Sequence, residues 1–204
     1  MIFDPPERGA ARDAAIEAML PHVPFDGWTR RALARGLADA GMPADEADLL
    51  FPGGTRDMIE TFSDLADRRM EAAAGALTQT RVSARVRAII ALRLRQNRAH
   101  KEAIRRALGV LALPSSARAT AGCTARTIDL IWHLAGDQSA DFSWYTKRGI
   151  LTGVYSTTLL FWLRDASDED ADTLAFLDRR LADVGRIGGL RRRAGRFIGR
   201  LRPA

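Results

Sequence analysis

Apolar side chains recur at helical spacing along nearly the whole chain, and no stretch alternates polar and apolar as a half-buried strand would. The pattern predicts helices over 10–20, 27–40, 43–51, 56–76, 81–96, 99–112, 115–135, 140–164, 168–184 and 187–201. Breaks are expected where helix-stopping residues stand: Pro21 and Pro24, Gly41 to Pro43, Pro52 to Gly54, Pro114, Gly136, and Gly188 with Gly189. No unit repeats at a fixed spacing. The expected class is all-α.

The helix over 140–164 differs from the others. Phe142, Tyr145, Ile150, Leu151, Val154, Tyr155, Leu159, Leu160, Phe161 and Trp162 surround it on nearly all sides, the pattern of a helix buried in protein or against lipid. It is too short and too charged at its start to span a bilayer. Gly149 and Gly153, four residues apart, leave a strip without side chains, which either lets another helix approach closely or makes room for a lipid tail. Gly136 suits the C-terminal cap of the preceding helix, and Ser139 or Asp141 can accept from the free N–H groups of this one. Trp144 and Tyr145 are neighbours, so their side chains leave the helix about 100° apart and cannot share one core position. Either one ring faces outward among Asp141, Lys147 and Arg148, a composition typical of interface hot spots, or both cap the core partly buried.

Composition narrows the setting. With 204 residues, 47% hydrophobic and 27% charged, the chain is long enough for one main domain with a smaller appendage and too apolar to be wholly disordered. Cys123 is the sole cysteine, which excludes an internal disulfide and fits a reducing compartment. The opening "MIFDPPERGA" lacks a basic-then-apolar layout and no apolar run reaches about 18 residues, so neither export nor a membrane span is expected. Of 31 basic residues only Lys101 and Lys147 are lysine, a bias that suggests a GC-rich bacterial genome.

The net charge of +6 is unevenly spread. Residues 1–65 hold six arginines against twelve acids, −6, which leaves +12 for the remainder. At the far end, Ile187, Leu190, Ala194, Phe197, Ile198 and Leu201 fall within an arc of roughly 100°, with Arg192, Arg193, Arg196 and Arg200 opposite. A helix lying in a lipid interface has this layout; a protein-docking helix and a nucleic-acid arm are the other readings. Gly188, Gly189, Gly195 and Gly199 each cost up to about 1 kcal/mol in a helix interior, so the tail is expected to fold on contact.

Little catalytic hardware is visible. His22, His100 and His133 form no Glu-x-x-His pair and no Cys/His cluster, "PGGT" is too short for a phosphate loop, and no nucleophile stands with a base. The expectation is a protein without catalytic activity, metal or cofactor.

The first helices have the lengths of a three-helix DNA-binding head followed by a connecting helix, a layout that resembles the TetR regulators. The third helix would present Asp45, Glu46 and Asp48 to phosphate, which opposes DNA binding. A much denser resemblance lies in "IWHLAGDQSADFSWYTKRGILTGVYSTTLLFWLRD". Trp132, His133, Ala135, Gly136, Asp137, Gln138, Ser139, Asp141, Phe142, Trp144, Tyr145, Thr146 and Arg148 match every letter of the segment W-H-x-A-G-D-Q-S-x-D-F-x-W-Y-T-x-R. That segment is the hallmark of the Coq-nine family, lipid-binding accessory proteins of ubiquinone biosynthesis. The resemblance implies a TetR-like fold, usually dimeric, that has lost DNA binding, holds isoprenoid lipid and supports the hydroxylase acting on demethoxyubiquinone.

Together these readings give an all-α, TetR-like helical bundle with a degenerate helix-turn-helix-like head over 1–65, a lipid-binding domain over 66–186 and an amphipathic membrane-binding tail over 187–204. Asp141, Trp144, Tyr145 and Arg148 are the partner-binding candidates. Trp132, Ile150, Leu151, Val154, Tyr155, Leu159 and Trp162 are the lipid-binding candidates. Leu190, Phe197, Ile198, Leu201, Arg193, Arg196 and Arg200 are the membrane-binding candidates. The expected partners are an isoprenoid or quinone lipid, the hydroxylase, an anionic membrane surface and a second copy of the chain, with no nucleic acid. The expected location is the bacterial cytoplasm, peripheral on the inner membrane; the alternative function is a TetR-type transcriptional regulator.

Overall fold

The computed structural model describes residues 3–137 and 143–200, and its contacts divide the chain into two compact units, Met1–Gln138 and Ser139–Ala204. Among the described residues all regular structure is helical.

In the first unit, helices α1 (Ala10–Met19), α2 (Val23–Asp26), α3 (Arg30–Asp39), α4 (Ala47–Leu50) and α5 (Thr55–Ala74) are followed by α6 (Val82–Gln96), α7 (Lys101–Leu111) and α8 (Ala117–Leu134). The long α5 is central and packs on α1, α6, α7 and α8. Buried positions follow the apolar stripe of each helix: Arg12, Ala15, Ile16 and Met19 on α1, and Ala32, Leu33, Gly36 and Leu37 on α3. Gly36 is where α1 and α3 touch, since a Cβ there would stand 2.6 Å from the backbone of Ala18 and Met19. The head's core also takes in Ala103 and Ala107 of α7, and residue 65 lies inside α5. Trp28 ties these parts together: its indole N–H donates to the Ala103 carbonyl at 2.9 Å, and its ring lies 5.4 Å from that of Phe62.

Buried charges in this unit are paired at Arg12 and at Asp67. Arg12, 5% exposed, donates to the Leu50 carbonyl, to Asp57 and to Thr61 Oγ1, and lies 4.5 Å over the Phe51 ring. Asp67 accepts from Arg93 Nη1 at 2.5 Å and from Thr127 Oγ1 at 2.9 Å, which links α5, α6 and α8. Deep burial pushes the Asp67 carboxyl up, against the opposing pull of Arg93.

In the second unit, α9 (Ser143–Trp162) and α10 (Ala171–Arg200) form a helical hairpin. Asp165 organises the bend by accepting from Ser167 N at 2.8 Å, Thr173 N at 2.9 Å and Thr173 Oγ1 at 2.5 Å. Phe161 and Phe176 stack across it at 4.6 Å.

Three features depart from the sequence pattern. Pro24 opens a helical turn instead of interrupting one, because proline at the first helical positions removes an N–H that has no intrahelical partner anyway. The segment expected as a helix over 43–51 is a 3₁₀ turn, Ala44–Glu46, plus the single turn of α4. The break expected at Gly188 and Gly189 is absent and the backbone continues as one helix to Arg200. Glycine in a helix interior costs about 1 kcal/mol, a penalty that the hydrogen bonds on either side outweigh.

Candidate functional site

The signature segment spans the end of α8 and the start of α9. Gly136 adopts φ +81° and ends α8 as the sequence predicts, with Gly136 N–H donating to His133 O at 3.0 Å and Asp137 N–H to Trp132 O at 3.1 Å. This pair of bonds is the Schellman arrangement, which satisfies carbonyls that the helix leaves without partners. Trp132 is half-buried and His133 exposed on the last turn of α8.

On the first turns of α9, Trp144 is half-buried and Tyr145 is 67% exposed, their rings 4.8 Å apart and 75° inclined. The Arg148 guanidinium lies 3.8 Å from the Trp144 ring centroid. Positions four apart share a helix face, and a cation over an indole contributes about 0.5–1 kcal/mol at an exposed site. Trp144, Tyr145 and Arg148 thus form one cluster whose phenol faces solvent. The fourth partner candidate, Asp141, lies outside the described residues.

The lipid-binding candidates on α9 divide between two faces. Leu151, Val154, Tyr155 and Trp162 share a buried face with Thr158, at the spacing i, i+3, i+4, i+7 and i+11. Leu159 is half-buried and Ile150 is 40% exposed. The opposite face carries Tyr145, Gly149, Gly153, Thr157 and Leu160, all exposed, and a Cβ on either glycine would meet nothing within 4 Å. Beside it, Leu160, Phe161, Ala166 and Phe176 line a groove of about 630 Å³ together with Thr157, Arg164, Asp165 and Asp172. Sequence reasoning did not single out Phe176. The signal was its place one α10 turn ahead of Arg179 and Arg180, which lie 5.9 and 5.4 Å from its ring centroid.

Among the membrane-binding candidates, Leu190, Arg193, Arg196, Phe197, Ile198 and Arg200 fall where α10 is described by its backbone alone, and Leu201 lies outside the described residues. Among the described residues no helix is long and apolar enough to cross a membrane.

The residues with chemical potential are dispersed. His22 contacts Asp39 at 2.7 Å, and His100 stands edge-on to Phe62, its pKa lowered by burial and by Arg69. Cys123 is buried on α8, and that burial pushes its thiol up to about 11. A thiol this reluctant to ionise is a packing group, not a nucleophile. Among the described residues no three His, Cys, Asp or Glu side chains gather as a metal site.

This fold has a solved counterpart. A TetR transcriptional regulator from Nitrosomonas europaea superposes with a TM-score of 0.68 at 22% identity, covering 85% of this chain and 97% of that one. The molecule is therefore an all-α protein of TetR-like fold. A family model described as COQ9 matches residues 117–188, which include α8 and α9. The Schizosaccharomyces pombe ubiquinone biosynthesis protein coq9, mitochondrial, is 32% identical over 177 residues, 86% of this chain and 70% of the relative. Ubiquinone biosynthesis protein COQ9-A, mitochondrial, of Xenopus laevis is 32% identical over 181 residues, and the Homo sapiens COQ9 protein 30%. This chain belongs to the COQ9 family. It spans 57% of the length of the frog and human relatives.

These relatives correct the expected location. They are mitochondrial by name, which overturns the assignment to a bacterial cytoplasm and its inner membrane. That assignment leaned on arginine usage and on the opening residues. Arginine bias reflects base composition, not compartment, and the start of a chain covering part of its relatives says nothing about what precedes it.

Proposed function

We propose that this protein serves ubiquinone biosynthesis as a non-catalytic accessory protein: it binds an isoprenoid quinone precursor at a membrane and presents it to a demethoxyubiquinone hydroxylase. The observation that carries this reading is the cluster on the first turns of α9, where Tyr145 is solvent-exposed beside a Trp144 ring held by Arg148, within the segment that defines the family resemblance. An exposed aromatic pair braced by an arginine is the composition of a docking hot spot.

The physical need is plain. A polyprenyl tail drawn into water costs about 0.8 kcal/mol per exposed CH₂, so an apolar path lowers the barrier to reaching an active site outside the bilayer. Leu151, Val154, Tyr155, Leu159 and Trp162 with Trp132 and Ile150 are the proposed lipid contacts, and the basic amphipathic end of α10 is the proposed anchor on anionic lipid. A second copy of the chain is the proposed partner for the open glycine strip at Gly149 and Gly153.

Mass spectrometry of organic extracts from the purified protein, with and without residues 187–204, tests this reading. Isoprenoid or quinone species retained by both forms support presentation from the protein interior. Lipid found only with the tail present would reduce the molecule to a peripheral membrane binder.

A further inference from the structure

A cleft of about 490 Å³ opens in the first unit where residues 3–6, the start of α5 and the start of α8 meet. The proposed lipid and docking roles make no use of it. Its cations are Arg56, Arg118 and Arg126. Arg126 is 7% exposed and fixed in place: Nη1 donates to the Asp4 carbonyl at 3.0 Å, and Nη2 lies 3.5 Å from both Glu60 Oε2 and Cys123 Sγ. Arg56, exposed, donates through Nη1 to the Ser115 carbonyl, which brings its guanidinium beside the first turn of α8, where Arg118 stands.

The carboxylates around the cleft are differently placed. Asp57 is committed to Arg12 and to Gly53 N, the latter at 3.3 Å, and Glu60 faces Arg126. Asp4 stands exposed at the mouth. Neither Arg56 nor Arg118 has a carboxylate partner among the described residues. The cleft's lining balances three guanidiniums, Arg56, Arg118 and Arg126, against three carboxylates, Asp4, Asp57 and Glu60, and behind it Arg12 is shared between Asp57 and Glu7. The 20-residue α5 and the 18-residue α8 both begin at this cleft, and each helix start adds roughly half a positive charge.

Arg118, and the N–H groups of Arg56 other than the Nη1 held by the Ser115 carbonyl, have no carboxylate partner among the described residues and match the planar, bidentate geometry of an oxyanion, and two helix starts beside them favour a dianion over a monoanion. The volume lies in the range of small-molecule sites, roughly 300–1,000 Å³. The oxygens of Glu60 and Asp4 supply acceptors for hydroxyl groups on the same ligand. We propose that this cleft binds a phosphate monoester with a hydroxyl-bearing organic part, Arg56 and Arg118 clamping the phosphoryl oxygens. The ligand is either a free phosphate ester or the headgroup of a phosphatidic lipid.

Calorimetric titration of the full chain with inorganic phosphate and with glycerol 3-phosphate tests the site. Saturable binding of glycerol 3-phosphate is expected, at least tenfold weaker in Arg118→Gln, with Arg81→Gln, an exposed arginine outside the cleft, unchanged. Arg118 is exposed and holds no partner that its loss would strand, so Arg118→Gln is expected to melt as the parent does; Arg56→Gln reads the same loss independently. Flotation with phosphatidic-acid vesicles separates the sources: weaker flotation of Arg118→Gln than of the parent assigns the lipid headgroup, and equal flotation assigns the free ester. Absence of saturable binding, or equal affinity in parent and both variants, overturns the proposal.

Discussion

Arg148 lies over the indole of Trp144, its guanidinium carbon 3.8 Å from the ring centroid, while the neighbouring Tyr145 extends into solvent. The two aromatics that adjoin in sequence therefore do different work. Trp144 is held within its own helix, and Tyr145 is free to meet a partner.

Replacing Tyr145 by Ala removes an exposed ring, so stability should shift by no more than about 0.5 kcal/mol while capture of the hydroxylase in a pull-down falls. Trp144→Lys should give the same loss of capture with a folded chain. A large drop in melting temperature for Tyr145→Ala would show that the ring packs in the core.

Gly36→Ala should destabilise the head. The added Cβ meets backbone of α1 at 2.6 Å, where no side chain can swing aside, and overpacking of this kind costs about 1–3 kcal/mol. Urea unfolding monitored by circular dichroism reads the change as a lower midpoint. An unchanged midpoint would mean that α1 and α3 separate without penalty.

Acid should loosen the tie between the segment before α1 and α5. Burial raises the Asp64 carboxyl, but the hydrogen bonds and charges of Arg8 and Arg68 outweigh it and hold the group below its ordinary range. The carboxylate oxygens receive Arg8 at 2.7 and 2.9 Å and Arg68 Nε at 2.9 Å. A depressed folded-state pKa adds stability that is fully present above the unfolded value and is lost as pH falls through the folded one. Asp64→Asn should therefore lower the melting temperature at pH 7, and the difference from the parent should shrink as pH drops below the usual aspartate range. A difference that stays constant with pH would exclude this linkage.

Asp165→Ala should free the start of α10. The carboxylate accepts from Ser167 N and from Thr173 N and Oγ1, and these bonds hold its pKa far below the ordinary value despite the opposing effect of desolvation. Loss of a capping group costs about 0.5–2 kcal/mol. Hydrogen exchange should quicken at residues 167–175 and stay unchanged in α3. Unaltered exchange at the bend would show that the stacked Phe161 and Phe176 suffice to hold it.

Much of this molecule was legible in the order of its residues. Helical periodicity reports which side of a helix is apolar whatever that side packs on, so α1, α3 and α5 to α9 stand close to their predicted spans, and Gly136 ends α8 because a left-handed residue there closes both bonds of the cap. The signature from Trp132 to Arg148 carried the family, since dense identity of side chains is a property of the chain itself. Other features were decided by contacts between distant residues. Helical spacing made α9 apolar on all sides, and only packing distinguished its buried Leu151, Val154, Tyr155 and Trp162 from its open Gly149, Gly153 and Leu160. Gly36 resembled any helical glycine until α1 came against it, and the arginines at 56, 118 and 126 were three cations of a basic chain until two helix starts met at one cleft. Local sequence determines the period and the caps because those interactions span at most a turn, whereas a face acquires its neighbour, and a charge its partner, only when the chain closes on itself.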